Sequence, residues 1–96
     1  NYLAAKPYDA TKGWEMISEQ YWAATFLNEY ESWSNWRRTG FPTLTPVNYE
    51  GNVTGGTIPR RLLYPVSEQA TNGTNYDEAI NRQGADKLTT KIWWDK

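Results

Sequence analysis

The apolar residues in the first half of the chain form two adjacent stripes with helical spacing. Residues 11–38 contain no proline, and their only glycine is Gly13, in the first turn. Residues three and four positions apart share one face of a helix. The stripes are Trp14, Ile17, Tyr21, Ala24 and Asn28, and Trp22, Phe26, Tyr30 and Trp33. The pattern predicts a helix over residues 11–38, about 42 Å long, unless it breaks into two near residues 23–25.

The end of this helix carries separate signals. Arg37 and Arg38 fall in the last turn, where the helix dipole favours positive charge. Gly40 suits the left-handed position that follows many helices, and Pro42 prevents the helix from continuing. We therefore expect the helix to end just before Gly40.

The second half of the chain predicts short and irregular elements. Asn48–Thr57 is rich in glycine and asparagine, which predicts an exposed loop of turns. Residues 58–65 contain two prolines and can form an edge strand at best. Residues 67–71 predict one helical turn, and the alternating pattern of residues 88–94 indicates a further strand.

A second helix is predicted near the C-terminal end of the chain. Asn75 and Glu78 have the spacing of a capping box, so the helix is expected over Tyr76–Arg82, closed by Gly84. The fold class is mainly α, with a long N-terminal helix, a short helix, and irregular or extended segments. No repeat and no linker divides the chain.

The broad apolar face has too few partners within the chain. A helix buries its apolar side only against another element, and the remaining segments are short. A domain of 96 residues also buries a modest share of its surface. We expect these residues to be the terminal piece of a larger protein or to pair with another chain.

Composition narrows the possible chemistry. Ten basic and 11 acidic side chains give a net charge of −1, which argues against nucleic acid as a partner. Cysteine and histidine are absent, so disulfides, thiolate metal sites and Ser-His or Cys-His triads are excluded. The mean hydropathy is −0.83, and no apolar run approaches the roughly 20 residues that span a bilayer. Trp, Tyr and Phe total 15 residues, against 14 for Val, Ile, Leu and Met.

Two pairs of charged residues suggest alternative roles. Arg37 and Arg38 could grip an anion or a sugar, or could cover the carbonyls of a helix end and stack on Trp36. Arg60 and Arg61 could contact nucleic acid, but as neighbours on an extended segment they point in opposite directions. We expect a buried ion pair with Glu29, Glu31 or Asp86 instead.

The tryptophans are the best candidates for ligand contact. Trp33 and Trp36 are three positions apart and could stack on a sugar, and Trp93-Trp94 could expose one ring. Aromatic stripes at helical spacing nevertheless belong more often to a core. Neighbouring carboxylates such as Glu29 and Glu31 do not face one cleft on a helix, which argues against a glycosidase pair. The sequence indicates no catalytic residue, metal or cofactor.

Several blocks of this sequence resemble the C-terminal region of the SusD/RagB family of outer-membrane lipoproteins. The run Trp36-Arg37-Arg38-Thr39-Gly40-Phe41-Pro42, followed by Ile58-Pro59-Arg60-Arg61, carries most of the resemblance. The blocks in order are Ile17–Ala23, Glu31–Pro42, Ile58–Pro65, Glu68, Asn75–Tyr76, Gln83–Asp86 and Trp93–Lys96. They cover most of residues 14–96. The resemblance implies that Trp36, Arg37, Arg38, Gly40, Pro42, Arg60 and Arg61 are structural.

The resemblance also implies a function and a location. Family members are helical proteins with tetratricopeptide-like pairs and a lipidated N-terminal cysteine, placed on the surface of Gram-negative bacteria. They capture glycans for a TonB-dependent SusC-like transporter, which they cap as a lid. Residues 1–96 would then be a mainly architectural C-terminal fragment that ends at the natural C-terminus, packs on the rest of its parent chain, and has no enzymatic activity.

Trp33, Trp36 and Arg37 stay the candidate ligand contacts under this interpretation. The alternative is a structural or protein-interaction module without direct ligand contact, whose exposed aromatic face meets the transporter or another copy of the chain.

Overall fold

The computed structural model describes residues 1–96 and is helical, with no strands. The five helices are α1 (Tyr2–Ala5), α2 (Gly13–Ala24), α3 (Glu29–Thr39), α4 (Val66–Thr71) and α5 (Gly73–Gln83). A 3₁₀ turn, Ala10–Lys12, precedes α2. The chain forms two compact units: an N-terminal unit of residues 1–44 with Lys96, and a C-terminal unit of residues 45–95. The mainly α fold class is confirmed.

The single long N-terminal helix is a wrong prediction, because the chain breaks between α2 and α3. The backbone turns after Thr25, and Leu27 adopts a left-handed conformation with φ of 73°. Asn28 then caps α3, its Oδ1 accepting a hydrogen bond from the Glu31 N–H at 3.4 Å. Helix α2 ends at Ala24, so the alternative of a break near residues 23–25 is confirmed. An asparagine counted in an apolar stripe is in fact a helix cap.

The C-terminal end of α3 follows its sequence signals. Gly40 has a φ of 79°, and its N–H donates to the Trp36 carbonyl at 2.8 Å. Arg37 and Arg38 occupy the last helical turn. A left-handed glycine after basic residues is therefore confirmed as the way this helix stops.

Helices α2 and α3 pack against each other, and polar side chains link them. The Tyr21 hydroxyl donates to Glu31 Oε1 at 2.5 Å. The Thr25 and Ser32 hydroxyls are 2.7 Å apart, and Ser32 Oγ also donates to the Thr25 carbonyl at 3.2 Å. Ser18 on α2 is 2% exposed. Small polar residues therefore occupy the buried side of this hairpin.

Two short helices follow in the C-terminal unit. The predicted turn at 67–71 is confirmed as α4, which ends at Thr71 and is followed by Asn72 as its C-cap. Helix α5 starts at Gly73, three residues before the predicted start, and no side chain caps its N-terminus. The capping box is wrong, since Asn75 Nδ2 donates to Asn72 Oδ1 at 2.5 Å. Gly84 closes the helix as predicted, its N–H donating to the Ile80 carbonyl at 2.8 Å.

The two predicted strands are absent. Residues 58–65 form no strand, and residues 88–94 contain turns at 88–89 and 93–94. The two segments still meet, because the N–H groups of Arg60 and Arg61 both donate to the Leu88 carbonyl, at 2.6 and 3.3 Å. Asn48–Thr57 consists of turns, as predicted.

Apolar burial is small for a chain with so many aromatic residues. Trp36, 8% exposed, is the one large apolar side chain that is buried, beside the polar Ser18, Ser32, Asn35, Arg37 and Arg61. Large apolar side chains remain exposed in both units, among them Phe26 and Leu27 at 80%. No helix has the length and apolar character needed to cross a bilayer.

Candidate functional site

The three candidate ligand residues lie on α3. The Arg37 guanidinium lies over the Trp33 ring, 3.6 Å from the ring centroid. Trp33 is about one helical turn before Trp36. Arg37 is 7% exposed and Trp36 is 8% exposed, whereas Trp33 is half-buried. A stacked arginine over an indole is a stable cation–π arrangement. Ligand contact by these three residues stays a prediction, with Trp33 the most accessible of them.

Arg60 and Arg61 both form ion pairs within the C-terminal unit. Arg61 Nη2 lies 3.3 Å from Asp86 Oδ1, which confirms one of the predicted partners. Arg60 Nη1 lies 2.7 Å from Asp95 Oδ1, a partner the sequence did not indicate. Glu31 accepts from Tyr21 and is not a partner of these arginines. Neighbouring arginines on an extended chain thus reach two different carboxylates.

Asp86 is the centre of a polar cluster. Its Oδ1 also accepts from the Tyr64 N–H at 3.3 Å, and its Oδ2 accepts from the Tyr76 hydroxyl at 3.3 Å. The Tyr64 and Tyr76 rings meet edge to face at 5.7 Å, and the Arg61 guanidinium lies 5.1 Å from the Tyr64 ring centroid. Desolvation, reinforced by the Asp86 charge, raises the pKa of Tyr76. The cluster links α5 to residues 58–65, which contain Arg61 and Tyr64.

A groove of about 620 Å³ lies in the N-terminal unit. Its lining combines tyrosines with lysines, carboxylates and an amide. Tyr2 is 59% exposed and Tyr8 is 68% exposed, so both rings are accessible. The charges of the lining cancel, because it contains two lysines, Lys6 and Lys12, and two glutamates, Glu15 and Glu19. This groove offers aromatic faces and hydrogen bonds without a net charge.

A second groove, of about 510 Å³, lies in the C-terminal unit. Its lining is Arg82, Gln83, Lys91, Ile92 and Trp93. Trp93 is 95% exposed, while Trp94 is half-buried. The prediction that Trp93-Trp94 exposes one ring is therefore confirmed. The sequence did not indicate Arg82 and Lys91, because they are nine positions apart and meet only through the fold.

Both grooves suit binding by stacking and hydrogen bonding. The carboxylates of Asp86, Asp95 and Glu31 are already engaged by Arg61, Arg60 and Tyr21. No group of three or more potential metal-ligating side chains comes together. The arrangement presents aromatic faces and a few polar groups on a helical support, as many ligand sites do.

Comparison with known proteins assigns the class and then the family. The family model that matches, over residues 6–95, is SusD-like, described as "Susd and RagB outer membrane lipoprotein". The match spans nearly the whole chain. The chain therefore belongs to the SusD/RagB family of outer-membrane lipoproteins. No curated protein matches it significantly.

Two solved structures are similar to the chain. One is described as a chitin-binding protein, with 44% identity and a TM-score of 0.87, and covers 98% of this chain and 21% of its own. The other is described as "Bacteroidetes AC2a SusD-like", with 33% identity and a TM-score of 0.84, over 99% of this chain and 19% of its own. The chain thus spans about a fifth of the length of these relatives.

Proposed function

We propose that the protein binds a glycan at the bacterial surface and that residues 1–96 support this function mainly as a scaffold. The observation that carries the proposal is the 44% identity to a chitin-binding protein across 98% of the chain. The TM-score of 0.87 shows that the helices are arranged alike. Affinity would come from aromatic stacking and hydrogen bonds, with no bond made or broken.

We propose further that residues 1–96 form the C-terminal part of a larger SusD-like domain. The similar structures are about five times as long as this chain. Only one large apolar side chain, that of Trp36, is buried, whereas Trp14, Phe26 and Tyr30 are between 67% and 80% exposed. Such surfaces are normally covered in a folded protein. The rest of the parent chain is the partner that would cover them.

The finer proposals concern the partner and the anchor. The glycan would be delivered to a TonB-dependent SusC-like transporter in the outer membrane, and a lipid on a part of the protein outside residues 1–96 would hold it at the surface. Family membership supports both proposals. Co-purification of the full-length protein with a TonB-dependent outer-membrane protein would test the first, and labelling with a radioactive fatty acid would test the second.

A polysaccharide panel tests the central proposal. The full-length protein should bind at least one glycan, with chitin oligosaccharides as the first choice. The same samples should release no reducing sugar, because binding without catalysis is proposed. Sustained release of reducing ends would show that the protein is an enzyme. Binding to no glycan, together with stable association with the transporter, would favour the alternative of a protein-interaction module.

A further inference from the structure

Trp93 is the most exposed aromatic side chain of the protein, at 95%. It lies on the wall of the 510 Å³ groove of the C-terminal unit, a volume within the range of small-molecule sites. Stacking of a flat apolar surface on an indole that is exposed to water lowers the free energy. The ring face of a sugar provides such a surface.

The charge of the groove lining is uniform. Arg82 and Lys91 are its two charged residues, and no carboxylate lines the groove. The salt bridges of the chain join Arg60 to Asp95 and Arg61 to Asp86, so neither groove cation is paired with an acid. Gln83 is held in place, since its Nε2 donates to the Tyr64 hydroxyl at 3.2 Å. Two cations without a salt bridge therefore share the groove lining with an exposed indole.

We propose that this groove is a subsite for an acidic sugar unit, with Trp93 stacking on the ring and Arg82 and Lys91 binding the carboxylate of a uronic acid. The inference rests on the proposed glycan-binding function. A neutral sugar in the groove would displace water from two cations without providing a counter-charge, which is unfavourable. A uronate offers an anion to both, and guanidinium–carboxylate hydrogen bonds are among the strongest available. The groove thus selects for a charged glycan.

The C-terminal groove differs from the N-terminal groove in this respect. The N-terminal groove places Glu15 and Glu19 among its lysines, so a uronate there would meet like charges as well as opposite ones. Charge complementarity therefore favours the groove around Trp93 for an anionic ligand.

Calorimetric titration of the full-length protein is the test. Oligogalacturonate and chitin oligosaccharide of equal length are the two probes, each at low and high salt. The wild-type protein should bind oligogalacturonate, and salt should weaken that binding. Trp93→Ala should lower the affinity by about tenfold or more, as loss of a central aromatic contact does. Arg82→Gln combined with Lys91→Gln should have a similar effect on oligogalacturonate only.

Matched controls lie in the same unit. Lys87→Gln removes an exposed lysine outside the groove lining, and Tyr49→Ala removes an aromatic residue that is 67% exposed elsewhere. Neither control should change oligogalacturonate affinity by more than about twofold, the scale of a distant surface charge.

Four outcomes would overturn the inference. Binding of chitin oligosaccharide alone would leave the proposed function standing and remove the acidic subsite. Equal oligogalacturonate affinity for wild type and Trp93→Ala would place the ligand elsewhere. Protection of Trp93 from acrylamide quenching, seen by comparing wild type with Trp93→Phe without ligand, would show that the parent chain covers the groove. Binding of neither glycan would contradict the inference and the proposed function together.

Discussion

Each of the two units has its own internal polar contacts, and these differ in the sequence separation of the residues they join. In the N-terminal unit the contacts between α2 and α3 join residues close in sequence, such as Tyr21 with Glu31, ten positions apart. In the C-terminal unit the contacts are long-range, with Arg60 and Asp95 separated by 35 positions. One unit is a local helical hairpin. The other is an irregular chain fastened by buried charges.

This difference shows how an irregular segment can be fixed without a sheet or a large apolar interior. Extended residues cannot satisfy their own backbone groups, and here the Leu88 carbonyl and the Asp86 carboxylate accept from them. Buried ion pairs add little net stability but penalise any arrangement that separates them. The arginine pair therefore specifies the path of the chain more than it stabilises the fold.

Breaking the Asp86 cluster should have the largest effect. Asp86→Ala leaves the Arg61 side chain, 8% exposed, without its carboxylate, and it also removes acceptors from Tyr64 and Tyr76. Loss of one partner of a buried pair costs about 3–5 kcal/mol. The free energy of unfolding, measured by urea denaturation of the full-length protein, should fall by about 3 kcal/mol.

A double variant is the matched control for this prediction. Arg61→Met with Asp86→Leu removes both charges, and should lose less stability than Asp86→Ala alone, because no unpaired charge is left buried. Lys87→Ala, one position along the chain, should be close to neutral. A double variant less stable than Asp86→Ala would show that the pair contributes mainly net attraction.

The same comparison explains how much of the fold the sequence could predict. The end of α3 was predictable because Arg37, Arg38 and Gly40 act within one turn. The break before α3 was available only as an alternative near residues 23–25. The left-handed conformation of Leu27 in that break could not be predicted, since a leucine disfavours it and only its surroundings can impose it. Signals that act within one helical turn can be recognised in a sequence, whereas a backbone conformation that surrounding residues impose cannot.

The candidate site divides in the same way. The pairing of Arg61 with Asp86 was one of three options in the sequence, and the structure selected it. The pairing of Arg60 with Asp95, and the presence of Arg82 and Lys91 in one groove lining, depend on the fold. Sequence spacing holds no record of such contacts. The sequence shows which charged residues are available, but only the structure shows which of them form ion pairs or line the same groove.

Overpacking the helical hairpin should have the next largest effect. Ser18 on α2 is 2% exposed, so Ser18→Leu would force added methyl groups into occupied space. Overpacking of this kind typically costs about 1–3 kcal/mol, and thermal unfolding should shift accordingly. Gln20→Leu, which places the same side chain at an exposed position of α2, is the control and should be nearly neutral. Equal stability for both variants would contradict close packing at Ser18.

A smaller effect is expected at the end of α3. Gly40→Ala meets no neighbouring atom within 4 Å but must adopt a φ of 79°, so conformational strain alone should cost about 1 kcal/mol. Gly73→Ala also has open space and lacks a positive φ, and should be neutral or stabilising by up to about 1 kcal/mol. Urea denaturation of both variants makes the comparison, and a harmless Gly40→Ala would contradict the left-handed helix end.

The smallest expected effect is on the alkaline side of the pH range, and it compares one tyrosine from each unit. The hydrogen bond to Glu31 is the main cause that raises the pKa of Tyr21, whereas desolvation is the main cause for Tyr76. A raised pKa in the folded state means that the folded protein holds the phenolic proton more tightly than the unfolded chain does. The resulting stability is complete below the ordinary tyrosine pKa of about 10 and is lost as the pH rises through the folded-state value.

Spectrophotometric titration of tyrosinate should therefore show that Glu31→Gln lowers the pKa of Tyr21 and leaves the pKa of Tyr76 unchanged. The titration step of Tyr21 is identified as the one that disappears in Tyr21→Phe. A simultaneous shift of Tyr76 would mean that the two units do not titrate independently.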